Sequence, residues 1–141
     1  MLEVLANTRL MSLATQDGEG VWVADVIFIY DDDFTIYWMS ERDTRHSRAV
    51  ERNSSVAATI TASNKKNESN FGIQLEGRAK KIDGTRYDLA VKHRMKLGHP
   101  TPSETEDVLD GDSWYSLTPS RIRLIDEEHF GFDAQDVPLL V

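Results

Sequence analysis

Between residues 40 and 48 the chain sets three hydroxyls, Ser40, Thr44 and Ser47, beside the cationic or protonatable side chains of Arg45, His46 and Arg48. Groups of these types suit a compact dianion, because each charge-assisted hydrogen bond to a phosphate contributes about 1.5–3 kcal/mol. Asp43 or Thr44 is placed to cap a helix over 43–52. A helix start adds free N–H groups and about half a positive charge, which makes it a standing anion site. In a chain of net charge −8, such a local cluster is more informative than in a basic one. The competing arrangement is a solvated cap whose arginines pair with Glu41, Asp43 and Glu51. From spacing alone that arrangement is favoured.

Other chemistry is sparse. With no cysteine there is no disulfide framework, thiolate metal site or cysteine nucleophile. His93, His99 and His129 lack metal-ligand spacing, so no metal site is expected and each reads as an exposed or core-satisfied side chain. No nucleophile elbow, phosphate loop or Gly-x-Gly-x-x-Gly occurs, which leaves hydrolase and nucleotide triphosphatase readings without support. No catalytic acid or base is assigned. Trp22, Tyr30, Tyr37, Trp38 and Trp114 could form a ligand-stacking surface, although each taken singly is ordinary β core. Asp25, inside an apolar run, either faces solvent by alternation or accepts a hydrogen bond near a ligand.

The elements that must position these groups are mostly β. A chain of 141 residues, 40% hydrophobic and 28% charged, makes one domain over 1–141 and can bury roughly 68–70% of its unfolded surface. The charge disfavours nucleic acid as a partner. The longest apolar run, Val26 to Tyr30, is far short of the ~20 residues of a membrane span. With no leader pattern, a soluble cytoplasmic protein without membrane contact is expected.

Strands are predicted over 9–15, 21–30, 34–39, 55–62, 71–82, 113–118 and 120–126, the last two separated at Pro119. Asp17-Gly18 and Asp31 to Asp33 supply tight turns. Helices are predicted over 1–7, 43–52 and 85–97, the last capped by Thr85 and ended by Gly98, with one or two helical turns over 104–109. Residues 127–141 read as an irregular C-terminal tail. The fold class is mainly β with short helices (α+β), an antiparallel barrel of six to seven strands, since closure removes exposed edges.

The ordered series Leu13-Ala14-Thr15, Asp17-Gly18, Val21 to Tyr30, Phe34 to Ser40, Thr44-Arg45-His46, Asn53-Ser54-Ser55-Val56 and Leu75-Glu76-Gly77-Arg78-Ala79 resembles the pyridoxamine 5′-phosphate oxidase-like split-barrel family, which binds flavin mononucleotide (FMN). The match is good over 10–80 and loose beyond. The resemblance implies a homodimeric split β-barrel with FMN in the cleft between protomers. Ser40, Thr44, Arg45 and His46 match phosphate-holding positions, and Ala24, Asp25, Val26 and Ile27 match the segment whose backbone runs along the flavin ring.

Two departures shape the expectation. The family's phosphate lysine is His46 here, and its second-strand arginine is replaced near Ala24 or Asp25. Residues that grip pyridoxamine phosphate have no match in the C-terminal half. The implied function is therefore FMN binding, as a flavin-dependent oxidoreductase of unidentified substrate, rather than oxidation of pyridoxamine phosphate. The alternatives are a non-catalytic flavin or haem binder acting as carrier or sensor, since relatives of the fold also hold haem or deazaflavin. A cofactor-free dimeric interaction protein is the third reading.

Overall fold

Turn chemistry and alternation together build one curled antiparallel sheet. The computed structural model describes residues 1–139. A short helix, α1 (Leu2–Asn7), precedes β1 (Leu10–Asp17), β2 (Gly20–Ile27), β3 (Ile29–Tyr30) and β4 (Ile36–Ser40). Helix α2 (Arg45–Arg52) leads to β5 (Ser55–Thr61) and β6 (Phe71–Ile82). Then come α3 (Tyr87–Leu97), β7 (Ser113–Asp126), the single turn α4 (Glu127–Phe130) and β8 (Gln135–Asp136).

The strands pair in the order β2-β1-β5-β6-β7-β4-β3, every pair antiparallel, with β8 added beside β7. The result is a split barrel, as the sequence predicts. Alternation explains its core: along β6, Ile73, Leu75 and Ala79 are buried while Gln74, Glu76 and Arg78 face solvent. Trp38 and Tyr115 stack inside the barrel with ring centroids 5.8 Å apart, both fully buried. No described helix is long and apolar enough to cross a membrane.

Five expectations are corrected. The run 21–30 is not one strand: β2 pairs with β1, and after the buried Phe28 the chain turns away to pair with β4 as β3. The predicted strands 113–118 and 120–126 are a single β7. Pro119 is tolerated because it lies opposite Gly77 at an irregularity in the β6–β7 register, where its missing N–H costs little. Residues 104–109 form turns rather than helix, and the cap of α3 is Arg86 in left-handed conformation (φ 46°), not Thr85. Thr85 instead uses its carbonyl to accept from Trp114 Nε1 at 2.9 Å.

The fifth concerns the tail. Residues 127–141 are not irregular over their described part: α4 is capped by Asp126, β8 pairs with β7, and Val137 N donates to Ile122 O at 2.9 Å. Val137 and Leu139 then pack against the main core. That apolar pair is the physical reason the segment folds back. Residues 140 and 141 lie outside the described part.

Candidate functional site

The cationic cluster falls where β4 gives way to α2. Strand β4 ends at Ser40, α2 starts at Arg45, and α2 packs against β1, β2 and β6. The helix begins here because Thr44, extended at φ −64° and ψ 153°, accepts from Ser47 N at 3.2 Å and donates to Ser47 Oγ at 2.7 Å. Ser47, Ala49 and Val50 are buried and fix the helix on the sheet. No acidic residue occupies its first turn. The N–H groups of Arg45 and His46 precede the first helical bond, Arg48 N to Thr44 O. An anion placed here meets donors and a positive helix end with no competing carboxylate in that turn.

His46 is half-buried, with Nε2 3.0 Å from Ser40 Oγ and 3.3 Å from Thr44 Oγ1. Burial pushes its pKa below the ordinary value of 6.5. The ring is therefore neutral at pH 7 in the free protein. A dianion beside it would reverse that balance.

Among the described residues, Arg45 does not form the ion pairs that a solvated cap would give it. Its guanidinium lies over the Trp22 ring, Cζ 4.5 Å from the centroid, and its Nε is buried without a hydrogen-bond partner. Among the described residues it makes no ion pair; the acid Glu51 is taken by Arg42 instead, at 3.4 Å. A stacked guanidinium is pre-organised and keeps its fork of donors available. Arg48, by contrast, is exposed.

Trp22 stands on β2, the outer strand of the sheet order, so one side of its backbone is unpaired. Val21, Trp22 and Val23 are 78%, 45% and 62% exposed. The predicted segment Ala24 to Ile27 continues along this same edge, roughly 7–17 Å from Trp22 at strand spacing. Asp25 is exposed and accepts from Ser12 Oγ at 2.6 Å across the β1–β2 pair, which answers the question of its burial. Thus Ser40, Thr44, Arg45 and His46 form one corner, and residues 24–27 lie on the edge strand that leads away from it.

The Arg45–Trp22 stack is the component sequence reasoning missed. Of the five large rings, Trp38 and Trp114 are fully buried core and Tyr37 is 9% exposed. Trp22 is the one at the corner. Elsewhere, His93 is buried edge-to-face with Trp114, and His129 bonds Asp126 at 2.8 Å. Among the described residues no three His, Asp or Glu side chains gather as metal ligands.

Residues 1–126 match the family model described as pyridoxamine 5′-phosphate oxidase. The UPF0306 protein plu4501 of Photorhabdus laumondii is 30% identical over 87 residues, 61% of each chain. The chain thus spans less than two thirds of that relative's length. Among solved structures, Rv2991 of Mycobacterium tuberculosis, a conserved hypothetical protein, superposes with a TM-score of 0.79 at 15% identity, over 96% of this chain and 88% of that one. HutZ of Vibrio cholerae, described as a heme storage protein, superposes with a TM-score of 0.66 at 14% identity, over 86% and 89%. The fold and the extent of the family-model match agree: this chain belongs to the pyridoxamine 5′-phosphate oxidase family.

Proposed function

We propose that the chain binds FMN at the Ser40–Arg45 corner and the β2 edge, and works as a flavin-dependent oxidoreductase. The observation that carries this reading is Arg45: a guanidinium stacked on Trp22, with its buried Nε unpartnered, beside an acid-free helix start. Those residues fit a phosphate, and the unpaired side of β2 fits the polar edge of a flat heterocycle. When bound, the flavin supplies the hydride or electron transfer. The chain's part is to anchor the phosphate through Arg45, Ser40, Thr44 and His46, and to hold the ring along residues 24–27. The exposed Val21, Trp22 and Val23 mark the surface a second protomer would cover, giving a homodimer with the cofactor at its interface.

His46 gives the reading a pH signature. Its free pKa lies below 6.5, and a bound phosphate raises it, so binding takes up a proton. Above the bound-state pKa the ring is neutral in both states and affinity is flat. As pH falls from there to the free value, FMN binds more tightly; below the free value the gain is complete. Titrations between about pH 5.5 and 8 check this, and His46→Lys is expected to make the affinity nearly independent of pH across that window. A wild-type dissociation constant that does not move, with His46→Lys also without effect, removes His46 from the site.

Haem is the second reading, because structural neighbours include a heme-binding protein of Mycobacterium smegmatis and HutZ. At this corner His46 is the residue that would hold its iron. The absorption spectrum of the purified protein, before and after adding FMN or haemin, separates the two. A flavin band that sharpens and persists through gel filtration supports the proposal. A Soret band lost in His46→Ala supports haem, and a colourless protein indifferent to both overturns each.

A further inference from the structure

A second cleft, of about 410 Å³, opens between α1, β3 and α3, on elements that contribute nothing to the phosphate corner. Leu5 and Ala6 of α1, Ile29 of β3 and Met95 of α3 give it apolar walls. Lys96 brings a charge into this setting. Its Nζ is buried and has no hydrogen-bond partner, lying 3.3 Å from the centroid of the Phe28 ring and 5.8 Å from that of Tyr30. The neighbouring Lys92 is already committed, to Asp31 and to Tyr30 O at 3.1 Å. In a chain with 24 acidic residues against 16 basic ones, a buried ammonium without an acid is an unmet demand. Ring faces compensate only part of the lost hydration, and three N–H donors remain unused. Burial pushes this amine down to about 8, with nothing nearby to offset it.

We propose that this cleft binds a small apolar monocarboxylate, its carboxylate paired with Lys96 and its hydrocarbon body against Leu5, Ile29 and Met95. The charge at the mouth favours a single negative charge: Asp32 lines the cleft and repels a phosphate ester or dicarboxylate more strongly than a monoanion, while the lining Lys92 is already paired with Asp31. Lys96 reaches the ligand by a small swing of its flexible stem away from Phe28.

Calorimetric titration of the full chain with octanoate, and separately with 1-octanol, tests the assignment. The expected result is one site per chain, roughly tenfold or more tighter for octanoate than for the alcohol, a margin of about 1.4 kcal/mol, and unaffected by saturating FMN. Lys96→Met should abolish the preference for the carboxylate. Ala6→Phe, which fills the cleft and leaves the amine in place, should abolish binding of both ligands. Equal affinities for the two ligands, an unchanged octanoate constant in Lys96→Met, displacement by FMN, or no heat at all would each overturn the proposal.

Discussion

Replacing Arg45 by alanine is expected to weaken FMN binding by about 1.5–3 kcal/mol, roughly 10- to 150-fold. The size follows from what the side chain does. It makes no ion pair among the described residues, and Trp22 holds it in place, so little side-chain entropy remains to be lost when it meets the phosphate. Arg45→Lys should recover only part of the affinity, because an ammonium neither stacks as a plane nor donates as a fork. Trp22→Ala should act in the same direction with a smaller effect, through lost pre-organisation. Quenching of flavin fluorescence on titration reads all three. A loss of less than a few tenths of a kcal/mol in Arg45→Ala would place the anion elsewhere.

Gly77→Ala is expected to destabilise the fold by about 2–3 kcal/mol, a large share of the total for a domain of this size. A Cβ built there would lie 2.2 Å from Thr118 O and 2.9 Å from Pro119 Cα. Both are backbone atoms, so no side chain can move aside. The contact sits at the irregularity that lets β6 and β7, the two longest strands, stay paired past Pro119. Relief would require separating them beside the buried Leu75, Ala79 and Leu117. Gly18 in the β1–β2 turn is the control: nothing lies within 4 Å of its added Cβ, so Gly18→Ala should change stability by about 0.5 kcal/mol or less. Urea unfolding with an unchanged slope measures both. Equal stability of the two variants would mean that the strands separate there at little cost.

The sequence disclosed an element wherever a local rule decided it. Strand β6 is predicted over 71–82 because Phe71, Ile73, Leu75, Gly77 and Ala79 alternate and polar or turn residues bound the run on both sides, and it is found over those residues. Helix α2 announces itself through Thr44 and the apolar pair Ala49 and Val50. Where long-range pairing decided, local rules failed. Nothing in the unbroken apolar run 26–30 signals that the chain leaves β1 for β4 at Phe28. Pro119 reads as a strand breaker until Gly77 is seen opposite it.

The site divides the same way. Residue types mark the Ser40–Arg48 cluster as a candidate, but spacing alone favours a solvated cap, and it is the ordered family series around it that tips the reading to a phosphate site. Which of five aromatic rings would meet Arg45 depended on the β1–β2 register and on how α2 lies across it, and no spacing encodes either. No pattern in the sequence singles out Lys96, in the last turn of α3. Only packing shows its Nζ turned in over Phe28.

The most direct measurement compares the affinities of FMN and riboflavin, which share the ring system and differ in the phosphate. If this corner holds the phosphate, FMN binds at least about a hundredfold more tightly, as two charge-assisted contacts imply, and Arg45→Ala removes most of the difference. Riboflavin binding as well as FMN, with Arg45→Ala lowering neither, would contradict that claim.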